Sequence, residues 1–142
     1  MYKIIRMIMQ SGIKTEPPPA VDDALRHTAQ RLRDEVLTRF RGALAIRHVD
    51  AGSCNGCELE IHALNNPYYG IERFGVHFVA SPRHADMLLV TGPVSRHMQA
   101  ALRRTWDATP EPKLVIAVGE CGANGGEFGV SYASCGAVAN VI

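Results

Sequence analysis

Short apolar runs alternate with segments of helical spacing from residue 42 onward, and this alternation constrains the fold more than any other feature. Two runs, ADMLLVTG and PKLVIAVGE, are almost continuously apolar, as in strands buried on both faces. The predicted strands cover residues 42–50, 73–81, 85–92 and 112–120, and the helices between them cover residues 57–66 and 95–108. Such alternation predicts an α/β fold with a parallel sheet.

Composition excludes several classes of protein. The chain has 142 residues, 46% of them hydrophobic, which is enough for one domain with a real core. Fifteen basic and fourteen acidic side chains give a net charge of +1, so no bulk charge attracts nucleic acid. No apolar run approaches the ~20 residues of a membrane span. The opening MYKIIRMIMQSG contains Lys3 and Arg6 and lacks a signal-peptide cleavage site, so we expect membrane association only through partner subunits.

Residues 1–41 predict an N-terminal arm that precedes the domain at 42–142. The stretch KTEPPPA is a proline-rich break, extended or turn-like. After it, residues 21–40 have apolar side chains at roughly helical spacing, with acidic residues at the start and Arg39 near the end. This pattern predicts an amphipathic helix that packs on this domain or on a neighbour.

The four cysteines are too few for a disulfide framework, and three of them follow predicted strands. Cys54 and Cys57 come after the first strand, and Cys121 comes directly after the strand at 112–120. Ligands of open parallel sheets bind beyond the carboxyl ends of the strands, where the strand order reverses. We therefore expect these three thiols to lie around one site, although 63 residues separate Cys57 from the glycine-rich segment that begins after Glu120.

Three kinds of site fit a C-x-x-C pair at this position. A redox dithiol needs only its own pair at a helix N-terminus, which leaves Cys121 unexplained. A structural zinc site would require a second compact ligand pair, and the sequence has none. An iron–sulfur cluster takes thiolates from scattered loops, and the glycines near Cys121 would let the backbone approach its sulfides. The residues favour the cluster.

Three motifs, GSCNGCELEI, ASPRHADMLLVTGPVSRHM and GECGANGGEFG, resemble the small subunits shared by membrane-bound [NiFe] hydrogenases and respiratory complex I, where this is the 20 kDa or B subunit. The similarity covers residues 44 to about 130. It implies a flavodoxin-like three-layer sandwich with one [4Fe–4S] cluster. Carried over by motif, the ligands are Cys54, Cys57 and Cys121.

The sequence departs from this family in two places. Complex I subunits have adjacent cysteines in the first motif, whereas this chain has Cys54-Asn55-Gly56-Cys57, as in the formate-hydrogenlyase and related energy-converting hydrogenases. The family's P-G-C-P-P segment, which supplies the fourth ligand, does not occur. We expect a domain shortened before its last strand, with another possible strand beginning at AVANVI. We expect Cys135 to be a buried or loop cysteine that is not a ligand.

The resemblance implies an electron-transfer subunit of an oxidoreductase complex, with no complete active site in this chain. The cluster would relay electrons between a ferredoxin-like [4Fe–4S] subunit and the Ni–Fe site of a hydrogenase large subunit. The expected location is cytoplasmic, on the inner face of the membrane, through partners. Two alternatives remain: a complex I-type quinone reductase subunit, and an assembly module with an incomplete cluster site.

The segment SPRHAD places Arg83 in a loop before the predicted strand at 85–92. The resemblance implies that Arg83 either contributes to the surroundings of the cluster or pairs with a partner carboxylate. Its alternative role is to cap the following strand.

Overall fold

The computed structural model describes residues 2–12, 23–40 and 43–142. The predicted KTEPPPA break lies outside the described residues. The arm contains two helices, α1 (Tyr2–Ser11), which the sequence analysis did not predict, and α2 (Asp23–Arg39). Phe40, at the end of the predicted amphipathic helix, packs against the domain core.

A parallel four-stranded sheet organises the domain, with strand order β2-β1-β3-β4. The strands are β1 (Leu44–Asp50), β2 (Val76–Phe78), β3 (Met87–Thr91) and β4 (Leu114–Val118). This is the flavodoxin-like order, in which the chain first adds a strand on one side of β1 and then on the other. The predicted fold class is confirmed, and the strand order reverses between β1 and β3.

Three helices follow strands of the sheet: α3 (Gly56–Leu64), α4 (Gln99–Ala108) and α5 (Gly119–Asn124). The first two agree with the predicted helices within four residues. The third was predicted as a strand end and loop. A 3-10 helix at Pro82–His84 precedes β3, with Pro82 at its start and the Ser81 hydroxyl accepting from the N–H of Arg83.

The core lies on both faces of the sheet because successive side chains of β3 alternate between them. Leu88 and Val90 enter a cluster that also contains Leu102 of α4, and all three are fully buried. Met87 and Leu89 face a second cluster around Ile46 of β1. The core thus has the three-layer arrangement that the resemblance implies.

The prediction that β4 is buried is wrong. Leu114, Val115 and Ile116 are 51%, 38% and 46% exposed. Among the described residues β4 pairs only with β3, so its outer edge and parts of its faces are uncovered. An apolar sequence shows that a strand can be buried, but its position in the sheet decides whether it is.

The predicted strand at AVANVI is also absent. Val138–Asn140 forms a 3-10 helix, and Val138 and Val141 are buried in the first core cluster. The N–H of Val141 and that of Ile142 both donate to the carbonyl of Val138, as in a helical turn. Within the part of the chain that the structure describes, no helix is long and apolar enough to cross a membrane.

Candidate functional site

The loop that carries the first two cysteines begins at the end of β1. Asp50 Oδ1 accepts hydrogen bonds of 2.9 Å from the N–H groups of both Gly52 and Ser53. This turn reverses the chain just past the sheet edge, and Asn55 then takes a left-handed φ of 70° before α3 begins. Cys54 is therefore exposed in the loop, and Cys57 lies half-buried in the first turn of α3.

The loops after β1 and β3 touch at the point where the strand order reverses. A Cβ atom on Gly92 would lie 2.5 Å from the backbone nitrogen of Ser53, and Gly92 has a φ of 75°. Only glycine permits both this backbone conformation and this approach. Gly92 therefore helps to set the position of the cysteine loop, a role that the sequence alone did not indicate.

Cys121 lies in α5, the short helix that follows β4, and this helix meets the first cysteine pair. A Cβ atom on Gly119, where the helix begins, would lie 3.5 Å from Cys57 Sγ. A Cβ atom on Gly126 would lie 2.9 Å from Cys121 Sγ, closer than side-chain carbons normally approach. The structure thus brings the segments carrying Cys54, Cys57 and Cys121 together beyond the carboxyl ends of the strands, and Gly119 and Gly126 leave space open beside Cys57 and Cys121.

The pKa of the Cys57 thiol lies above its ordinary value. Burial is the main cause, and the negative charge of Glu58 and the nearby Cys54 and Cys121 add to it. A nucleophilic C-x-x-C pair requires the opposite shift, since the reactive species is the thiolate. The raised pKa disfavours the redox-dithiol interpretation, whereas a bound cation would stabilise the thiolate.

No group of three or more His, Cys, Asp or Glu side chains among the described residues is arranged to hold a single metal ion. This geometry gives no support to the zinc interpretation, because zinc ligands must converge on one centre. A four-iron cluster binds one thiolate at each iron, so its ligands are spread more widely. The three thiols and the side-chain-free space at Gly119 and Gly126 fit such a group.

The fourth cysteine is placed elsewhere. Cys135 is 6% exposed and belongs to the first core cluster, with Val94 and Val138. Its N–H donates to the carbonyl of Val94 at 2.7 Å, which holds this segment against the loop after β3. Its surroundings are those of a buried apolar side chain.

Next to the cysteine loop, Glu58, His48 and Thr91 form a largely buried polar cluster that the sequence did not indicate. Glu58 is 5% exposed, and its Oε1 lies 3.7 Å from His48 Nε2. A hydrogen bond of 3.0 Å joins His48 Nε2 to Thr91 Oγ1. Burial alone would raise the pKa of Glu58, but the nearby hydroxyls of Thr91 and Ser53 lower it overall, although neither carboxylate oxygen makes a hydrogen bond of good geometry.

The expectation that Arg83 contributes to the surroundings of the thiols is wrong. Arg83 lies in the 3-10 helix that precedes β3, whereas the cysteines follow β1 and β4. In a parallel sheet the positions before and after the strands lie at opposite ends. The five residues of β3 separate those two ends by about 16 Å. Arg83 instead lines a cleft with Phe40 and Pro110.

The chain is an α/β domain with a parallel sheet in flavodoxin-like order, and three of its thiols lie in segments beyond the carboxyl ends of the strands. Within that class, the chain belongs to the family described as NADH ubiquinone oxidoreductase, 20 Kd subunit, which matches residues 54–141. The predicted resemblance is confirmed.

Two curated relatives are similar to this chain. It is 38% identical to formate hydrogenlyase subunit 7 of Escherichia coli over 125 residues, which cover 88% of this chain and 48% of that protein. It is 53% identical to the probable membrane-bound hydrogenase subunit mbhJ of Pyrococcus furiosus over 81 residues, or 57% and 48%. The chain thus spans about half the length of these relatives.

The chain is also similar in structure to a subunit of a solved membrane complex. The chain is similar to one from the membrane-bound sulfane sulfur reductase, an archaeal respiratory membrane complex, with 34% identity and a TM-score of 0.54. The match covers 65% of this chain and 50% of that one. The parallel sheet described above is therefore that of a known family of complex subunits.

Proposed function

We propose that this chain is an electron-transfer subunit of a hydrogenase-type complex, with one [4Fe–4S] cluster bound by Cys54, Cys57 and Cys121. The cluster would relay electrons between a ferredoxin-like subunit and the Ni–Fe site of a large subunit. The observation that carries the proposal is the convergence of the three thiols beyond the carboxyl ends of the strands. Glycines, which have no side chain, leave space beside them there. The relatives named for formate hydrogenlyase and membrane-bound hydrogenase support the choice of complex.

The protein's own contribution is to hold the thiols and limit water at the site. A bound cluster would supply one-electron transfer. Half-burial of Cys57 and the nearby backbone N–H groups would set its potential, since burial and hydrogen bonds to sulfur tune such clusters. Because Gly119 and Gly126 have no side chains, the backbone can approach closely on the side of Cys121.

The fourth ligand in this proposal comes from polypeptide other than residues 43–142. Cys135 is enclosed by Val94 and Val138 in the first core cluster, and reaching the cysteine edge would require unpacking that cluster. Residues 1–41 serve as an arm and residues 42–142 as the iron–sulfur domain, which is completed by the segment that supplies the fourth thiolate.

Exposed apolar side chains near the thiols support docking of a large subunit there. Leu59 is two residues beyond Cys57 and is 62% exposed. Phe128 and Val130, which follow α5, are 66% and 69% exposed. A partner on this surface would cover apolar area and exclude water from the cluster. The complex would place the chain on the cytoplasmic face of the membrane.

Iron and acid-labile sulfide in the anaerobically purified complex test the proposal. We expect a Cys57→Ala variant whose subunits still assemble to lose about four of each per copy of this chain, while the iron of the other subunits remains. An assembled complex without iron in this subunit would show a docking module instead.

The complex I-type alternative is tested on the same complex. The family description names ubiquinone oxidoreductases, whereas the spaced Cys54–Cys57 pair favours the hydrogenase group. Reduction of a soluble quinone by the complex, without hydrogen evolution or uptake, would favour the alternative.

A further inference from the structure

The first helix of the arm, α1 (Tyr2–Ser11), has an apolar surface that no described residue covers. Each of its ten side chains is exposed. Six of them are large and apolar, and their exposed fractions range from 49% for Ile5 to 77% for Tyr2. Monomeric soluble proteins rarely leave so continuous an apolar surface in water. This helix therefore contacts something apolar in its working state.

The polar side chains of α1 form one narrow strip. Lys3, Arg6 and Gln10 are spaced by three and four residues, so they lie on the same face of the helix. The apolar side chains occupy the rest of the circumference apart from Ser11. A helix that docks in a protein groove usually presents a narrower stripe at i, i+3, i+4 and i+7. The wide apolar arc favours an extended apolar medium over a groove.

The charge of α1 has a single sign. Lys3 and Arg6 are its charged side chains, and the helix contains no acidic residue. A helix with a basic strip and a wide apolar face is typical of the interface of anionic bilayers, where the apolar face sinks below the headgroups. Lys3 and Arg6 would then lie at the level of the phosphates.

The length of α1 decides its orientation. Ten residues extend for about 15 Å, which is half of the roughly 30 Å hydrocarbon layer. It is too short to cross a bilayer but long enough to lie along its surface. We propose that α1 binds directly to the surface of an anionic lipid bilayer and lies in the plane of the interface. This contact is independent of the cluster.

Flotation of the full chain with vesicles tests this inference. The probes are vesicles of phosphatidylcholine alone and vesicles with phosphatidylglycerol added. We expect binding to the anionic vesicles. Replacing both Lys3 and Arg6 by Gln should weaken it about 30-fold, since each basic residue contributes about fivefold near an anionic surface. Replacing both Ile5 and Ile8 by Asp should abolish it.

Two control variants separate α1 from the other exposed apolar surfaces. Gln10→Ala changes the polar strip without altering charge, and Tyr132→Ser removes a side chain that is 98% exposed in the domain. Both should float as the unchanged chain does. The inference is overturned if the chain does not bind anionic vesicles, or if the Ile5→Asp, Ile8→Asp variant binds them equally well. It is also overturned if that variant loses a partner subunit from the detergent-solubilised complex, since α1 would then dock on protein.

Discussion

The neighbouring strands β3 and β4 have opposite exposures. Leu88 and Val90 of β3 are fully buried, whereas Leu114 and Ile116 of β4 are about half exposed, at 51% and 46%. β3 has a strand on each side and core on both faces, while β4 pairs only with β3 among the described residues. The difference teaches that burial is concentrated at the centre of the sheet, while the described residues leave the β4 margin uncovered.

The thiols are divided between these two regions. Cys54 and Cys57 follow β1, which pairs with β3 in the buried centre. Cys121 follows β4 at the margin, although α5 carries Gly122 into a buried position against Ala117. A bound cluster would therefore join the centre of the sheet to its margin. Loss of the cluster should loosen the margin more than the centre.

The largest effect is expected from shortening a leucine at the centre. Leu88→Ala leaves a cavity in a closed core and should lower the free energy of unfolding by about 3 kcal/mol. The same change at Leu114 removes a half-exposed side chain and should cost less than about 1 kcal/mol. Urea denaturation of the two variants, with circular dichroism as the signal, measures both. Equal losses would mean that β4 is covered and that the comparison fails.

The next effect concerns the glycines beside the thiols. Gly126→Ala should cost about 1–2 kcal/mol for its left-handed backbone, and its Cβ would press on Cys121 Sγ. A bound cluster would fix that sulfur, so we expect the iron content of the complex to fall.

Gly56→Ala is the matched control for this prediction. Its Cβ would lie 3.5 Å from Cys54 Sγ, an ordinary contact, and its φ is not left-handed. It should leave the iron content unchanged. Equal iron in both variants would show that the space beside Cys121 is not needed for the group bound there.

The smallest effect is expected at the turn before Cys54. The N–H of Ser53 is the main reason why the pKa of Asp50 lies below its ordinary value of 3.8. Because the folded-state pKa is lowered, the stabilisation is present above pH 3.8 and is lost as the pH falls through the lowered pKa. Asp50→Ala should therefore cost about 1 kcal/mol at pH 7, with a smaller difference from the unchanged chain in acid.

Asp50→Asn separates charge from hydrogen bonding. Its amide oxygen can still accept from Gly52 and Ser53, but it does not titrate. Urea denaturation at several pH values should show a smaller loss at pH 7 than in Asp50→Ala. The difference in stability between the two variants should not change with pH, because neither replacement side chain titrates. A loss that is the same at every pH for Asp50→Ala would rule out the ionised carboxylate as the acceptor that matters.

Local patterns were enough to predict the central sheet. The alternating apolar residues of β1 and the continuous run of β3 indicate their own burial, since a strand's side-chain period is fixed. Membership of the family could be predicted as well, because the motifs around Cys54, Arg83 and Cys121 occur in order. What the sequence could not show is which strand lies at the margin. The sequence LVIAV of β4 predicts a buried strand, but its exposure depends on which elements lie beside it in the sheet.

The remaining differences have the same origin in tertiary contacts. The turns of the helix at Val138–Asn140 use apolar residues that equally suit a strand, and packing against Leu88 and Leu102 in the core favours the compact form.

Gly92 was not predicted because its role depends on contact with Ser53, which is distant in sequence. His48 and Thr91 likewise form their pair across two strands. Arg83 was misplaced because the expectation followed the resemblance, although its position before a strand already indicates the end of the sheet opposite the cysteines.

The central claim is that Cys121, and not Cys135, is a cluster ligand. Low-temperature electron paramagnetic resonance of the dithionite-reduced, anaerobically purified complex tests it most directly. We predict a [4Fe–4S]⁺ signal from this subunit that survives Cys135→Ala and disappears or changes type in Cys121→Ala. Loss of the signal in Cys135→Ala while the subunits remain assembled, or its survival in Cys121→Ala, would contradict the account.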